Sequence, residues 1–109
     1  MAKLLFSQQA RIDMCEIGDY ISVALRNPDA ALRTVRRINE TISSLREFPE
    51  MGSPLLMAGK QSAPYRTLVC GSYLIFYHVN NDAVHIDRIL YGRRNYMALL
   101  FGDQLEEEK

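Results

Sequence analysis

The chain opens on a short apolar run, Lys3–Phe6, followed by Ser7, whose hydroxyl can accept a backbone N–H at the start of a helix. From there apolar residues recur at steps of three and four: Ala10, Met14, Ile17, Ile21, Ala24 and Leu25. Residues so spaced share one face of a 3.6-residue period, so the pattern predicts a strand and then an amphipathic helix over residues 8–26. Asn27-Pro28-Asp29 supplies a capping side chain, a proline suited to the first helical position, and an acid near the positive end of the helix dipole. A second helix follows, with Leu32, Val35, Ile38, Ile42 and Leu45 on its stripe and Pro49 as its latest stop. Arg33, Arg36, Arg37 and Glu40 lie mostly off that stripe. Two amphipathic helices with so short a link predict an antiparallel hairpin.

Residues 50–64 carry Gly52, Pro54, Gly59 and Pro64 without a period, which predicts a loop. Three runs rich in aromatic and β-branched residues come next, 65–70, 72–79 and 83–91, divided by Gly71 and by Asn80-Asn81-Asp82. They predict a three-stranded antiparallel meander. Residues 93–101, with Tyr96, Met97, Leu99, Leu100 and Phe101, read as a short C-terminal helix or a docked tail. The whole is an α+β chain with no internal repeat: one domain over residues 1–102 and an acidic tail over 103–109.

Composition narrows the class. At 109 residues, 48% hydrophobic and 24% charged, the chain has the makeup of a single globular domain and not of a disordered or coiled-coil one. Its longest strongly apolar run, residues 73–77, is far too short for a membrane span, and no long apolar stretch opens the chain as in a signal peptide. Cys15 and Cys70 fit neither a metal-ligand spacing nor a disulfide framework, so both thiols are expected free in a reducing cytoplasm. Basic and acidic residues balance at 13 each, against nucleic-acid binding by bulk charge. Removing the tail's one lysine and four acids leaves 12 basic and 9 acidic groups, a mildly basic body of net +3.

The candidate chemistry is limited. Cleaving RNA by attack of a 2′-hydroxyl requires a base, cations for the phosphate charge and a proton donor for the leaving oxygen. Arg66, Arg88, Arg93 and Arg94 are the available cations, and His78, His85, Tyr91 or Tyr96 would have to move the protons. Arg88 has a second reading, as the partner of an acid on a neighbouring helix. If Asn81-Asp82 forms a two-residue turn, His78 lies directly across from His85, with Asp87 two residues along on the same face. No motif adds a further ligand to this pair, so no metal is expected. The glycines stand singly and form no phosphate-cradling loop, so no nucleotide cofactor is expected either. Cys70, at a strand end beside Gly71, reads as a packing residue.

Three stretches together resemble a known family: Tyr65-Arg66-Thr67-Leu68-Val69; Gly71-Ser72-Tyr73-Leu74-Ile75-Phe76-Tyr77; and residues 84–94, ending in Leu90-Tyr91-Gly92-Arg93-Arg94. With the preceding strand, helical hairpin and loop, they resemble the RelE/ParE superfamily of type II toxin–antitoxin toxins, closest to its ParE-like, plasmid-stabilisation branch. Phe48-Pro49-Glu50-Met51-Gly52 is similar to that family's Pro-x-x-Gly after the second helix. The chain departs from the family at Tyr91, where a His usually precedes Gly-Arg-Arg, and at Asn95, where an Asp often follows it. Leu68 and Leu74 stand where ribosome-dependent RelE enzymes carry basic groups, which counts against a message-cleaving mechanism.

The resemblance implies a small toxin that inhibits DNA gyrase by binding, uses no cofactor, and is neutralised by a cognate antitoxin in a hetero-oligomer. Arg93, Arg94, Tyr96 and Met97 are the expected target contacts. An antitoxin segment is expected over Val23, Leu55 and Leu56, with its acids meeting Arg33, Arg36 and Arg37. The alternatives are a RelE-like endoribonuclease acting on ribosome-bound mRNA through Arg66, Arg88, Arg94, His78, His85 and Tyr91, or a non-toxic antitoxin-binding module.

Overall fold

A computed structural model describes residues 2–56 and 62–92, of which residues 55–56 and 62–64 are described by backbone alone. Strand β1 (Lys3–Phe6) leads into helix α1 (Gln8–Asp19), whose first turn is closed by Ser7 Oγ accepting the Ala10 N–H at 2.9 Å. The predicted helix does not stay regular to residue 26. At Tyr20–Ala24 it widens into a π-helical turn, with the Leu25 N–H bonded to Tyr20 O at 3.1 Å, and Arg26 at φ +54° reverses the chain. The extra residue in this turn moves Ala24 and Leu25 off the apolar stripe, so both are exposed, whereas Ile21 remains buried.

Helix α2 (Pro28–Ser43) starts as predicted, capped by Asn27 Oδ1 on the Ala30 N–H. Its buried stripe is Ala31, Ile38 and Ile42, continued by Leu45 in a 3₁₀ turn (Ser44–Arg46). Leu32, placed on the stripe by the sequence pattern, is instead exposed.

Five strands form one sheet in the order β1-β5-β4-β3-β2. Strands β3 (Ser62–Cys70), β4 (Tyr73–Asn80) and β5 (Ala83–Tyr91) are the predicted meander. The sheet extends beyond it on both sides. β1 pairs parallel with β5, which the helical crossover permits, and β2 (Ser53–Leu56) pairs antiparallel with β3. Part of the predicted loop is therefore an edge strand. Pro54, which has no N–H to give, fits an edge with an irregular register, and its presence disguised the strand as a loop. The expected helix over residues 93–101 lies outside the described residues.

Helices α1 and α2 cover one face of the sheet. The core there is Ala10, Ile38, Ile42 and Leu45 against Cys70, Ile75, Tyr77, Val84, Ile86 and Ile89. Strand alternation sends His78 to the other face. Among the described residues no helix is long and apolar enough to cross a membrane.

Candidate functional site

β1 runs out at Phe6, paired with Ile86, and the edge of β5 beyond that point needs other hydrogen-bond partners. The first turns of α1 provide them. Ser7 donates its N–H to Ile86 O at 3.0 Å and its hydroxyl to Asp87 O at 2.8 Å. Asp13, only 4% exposed, accepts the Ile89 N–H at 3.0 Å. The same carboxylate binds Arg88 through two bonds, Nε to Oδ2 at 2.8 Å and Nη2 to Oδ1 at 3.1 Å, which raises the guanidinium pKa above its ordinary value. The structure thus pairs Arg88 with an acid of the neighbouring helix. Asp13 was not singled out by the sequence reading, although an acid between Ala10 and Met14 on an apolar stripe was the available signal.

Past Ile86, β5 carries one extra residue: Ile86 faces Tyr77 and Arg88 faces Phe76, leaving Asp87 as a bulge. Before the bulge, the Asn81-Asp82 turn, with φ +54° and +64°, sets His78 against His85 as the two-residue turn predicts. The two imidazoles stack with centroids 4.7 Å apart and planes 5° from parallel, and Tyr65 meets His78 edge-on at 5.8 Å. Asp87 Oδ2 lies 2.7 Å from His78 Nδ1. Burial pushes the Asp87 carboxyl above the usual aspartate range, against the pull of the His78 hydrogen bond and of the charges on His78 and His85. The carboxylate favours the Nδ1–H tautomer of His78, leaving Nε2 as the nitrogen for proton exchange. Stacked parallel rings do not converge on one point, and no group of three His, Cys, Asp or Glu side chains is placed to hold a metal among the described residues.

The other candidates stand apart from this pair. Arg66 is in register with Tyr77 and shares its face, opposite that of His78. Its Nη1 donates to Gly52 O at 2.8 Å and Glu50 O at 3.3 Å. Tyr91, exposed at the end of β5, packs edge-on against Tyr73 at 5.9 Å. Of the described candidates for proton transfer, the structure brings together His78 and His85 but not Tyr91. Arg93, Arg94, Tyr96 and Met97 lie outside the described residues. Val23, Arg33, Arg36 and Arg37 are exposed on the helical hairpin. Leu55 and Leu56 belong to β2, with side chains outside the description.

Residues 4–96 match the model of a family described as the ParE toxin of the type II toxin–antitoxin system, parDE. The chain belongs to the ParE toxin family. A solved structure titled as a chromosomal ParDE toxin–antitoxin system from P. aeruginosa is 25% identical, covers 84% of this toxin and 96% of that chain, and superposes with a TM-score of 0.69. The RelB–RelE antitoxin–toxin complex from Methanococcus jannaschii, at 18% identity, covers 89% of this toxin and 98% of that chain with a TM-score of 0.52. YafQ from E. coli, at 14% identity, covers 94% and 100% with a TM-score of 0.51. These two share the fold. Among curated proteins none matches the toxin in sequence. Family and architecture agree: this is a RelE/ParE-superfamily toxin of mixed α+β fold.

Proposed function

We propose that this toxin acts in the bacterial cytoplasm by binding its target, without chemistry of its own, and that the target is DNA gyrase. The observation that carries the reading is the commitment of two arginines. Phosphate cleavage needs cations aimed at the reacting phosphate. Arg88 is bound by the Asp13 carboxylate and Arg66 by two backbone carbonyls on the opposite face from the histidine pair. The Arg88 guanidinium is thus spent on Asp13, and that of Arg66 lies across the sheet from His78. The ParE family model, matched over most of the chain, supports the same target class. Target contact is assigned to Arg93, Arg94, Tyr96 and Met97, which follow directly on the exposed Tyr91 at the end of the sheet.

Neutralisation is assigned to a cognate antitoxin, in keeping with structural neighbours whose titles describe a toxin–antitoxin system and an antitoxin–toxin complex. The exposed arginines of α2, Arg33, Arg36 and Arg37, suit an acidic antitoxin segment whose apolar side chains reach Val23 and the Leu55–Leu56 strand.

One observation favours a RelE-like endoribonuclease as the second reading: the Asp87–His78 couple is built to move a proton. Purified toxin added to a plasmid supercoiling reaction separates the two. Binding to gyrase predicts loss of supercoiling and intact messages in a parallel translating extract. Cleaved ribosome-bound message with normal supercoiling would reverse the assignment.

A further inference from the structure

The turn after α2 is held at several points. Tyr77, fully buried, donates its hydroxyl to Pro49 O at 2.8 Å and accepts the Gly52 N–H at 2.9 Å. Arg66 bonds the carbonyls of Glu50 and Gly52, the Met51 N–H closes on Phe48 O at 3.0 Å, and the Ala2 N–H ties Arg46 O to the first strand at 2.9 Å. A Cβ on Gly52 would stand 2.5 Å from Thr67 O, so the turn lies directly on β3. The Pro-x-x-Gly motif is explained by this seat. Its product is unusual, because the fixed turn carries its two large apolar side chains into solvent: Phe48 is 60% and Met51 44% exposed.

Val79 of β4, 42% exposed, lines the same basin of about 810 Å³. Glu47, Glu50 and Asp82 are also in its lining, against the single cation Arg46. A basin lined by apolar side chains and by three carboxylates has a definite complement. We infer that this basin is a docking surface for a protein segment presenting a large apolar side chain between lysines or arginines.

Three physical points support this occupant. A turn already locked loses little conformational entropy when a partner seats on it. Phe is a rigid anchor, and Met adapts its shape to what it meets. The three carboxylates attract a basic segment and repel an acidic one. The acidic segment suited to the arginines of α2 has the wrong sign for these carboxylates, so the two surfaces select different partners. The inference is independent of whether the target is gyrase.

The test uses the full-length toxin and two fluorescein-labelled amphipathic helical peptides, one of leucine and lysine and its analogue with every lysine replaced by glutamate. Anisotropy should show binding of the lysine peptide alone, weakened by added salt. Phe48→Ser, Met51→Ser and the double variant Glu47→Lys/Glu50→Lys should each weaken it roughly tenfold or more. All three changes are at exposed positions, and an unchanged melting midpoint shows that the fold is kept. Leu32→Ser, on the exposed side of α2, should leave binding as it was. Equal binding of both peptides, no binding of either, or indifference to the basin variants overturns the proposal. So does a dimer of the toxin alone, seen in sedimentation and lost in Phe48→Ser, because the basin would then belong to a second copy.

Discussion

Asp13 uses one buried carboxylate for four bonds: two to the Arg88 guanidinium, one to the Ile89 N–H at the open edge of β5, and one accepted from Gln9 Nε2 at 3.3 Å. Removing it would leave a partly buried cation unpaired and a backbone donor unsatisfied. Asp13→Ala should therefore cost about 3 to 5 kcal/mol in urea denaturation, and Asp13→Asn should recover part of that by keeping an acceptor. Asp87 makes a different prediction. Its folded-state pKa is raised by burial, so the native state holds this proton more tightly than the unfolded chain does. The stability this gives is complete below the unfolded value near ~3.9 and is lost as pH rises through the raised folded value. Asp87→Asn removes the titration. The stability difference between wild type and variant should change across that window and be flat above it, as denaturation midpoints from about pH 3 to about pH 7 will show. Residues of this kind were only half legible in the sequence. The His78–His85 register followed from a two-residue turn, whereas the partner of Arg88 needed the packing of α1 on β5 to be known.

At the scale of elements, local signals were reliable where a cap or a turn residue marks a boundary. Ser7, Asn27 and the Asn81-Asp82 turn act at the positions their chemistry suggests. They failed where tertiary contacts override the period. The π-helical turn at Tyr20–Ala24 carries no signal in the hydrophobic pattern, and β2 hides behind Gly52 and Pro54 because an edge strand needs only one side of its ladder. The turn between α2 and β2 belongs at this scale too. Gly52→Ala would drive a methyl into the Thr67 carbonyl and the Tyr77 hydroxyl, atoms that a small shift cannot move aside. The loss should reach the upper part of the ~1–3 kcal/mol typical of overpacking. Tyr77→Phe should cost a similar amount by leaving the buried Gly52 N–H without its acceptor, roughly 1–3 kcal/mol. Thermal melts of both single variants and the double variant check this. Because the two changes damage one contact, the double variant should lose less than the sum.

For the whole molecule, the order of strand, helical hairpin and meander was readable from periodicity, and it carried the family resemblance. The parallel docking of β1 beside β5 was not, since parallel pairing depends on residues some eighty positions apart. The same limit applies to function. One sheet architecture carries ParE and RelE toxins alike, so the distinction rests on where side chains point and not on the fold. Here Arg66 and Arg88 hold the scaffold together, which is the basis for assigning this toxin to action by binding. The direct test is to induce it in bacteria without an antitoxin and follow incorporation of labelled thymidine and labelled methionine over the first minutes. An early fall in thymidine incorporation with methionine incorporation intact is the predicted result. An early fall in methionine incorporation would contradict it and return the histidine pair to the centre of the mechanism.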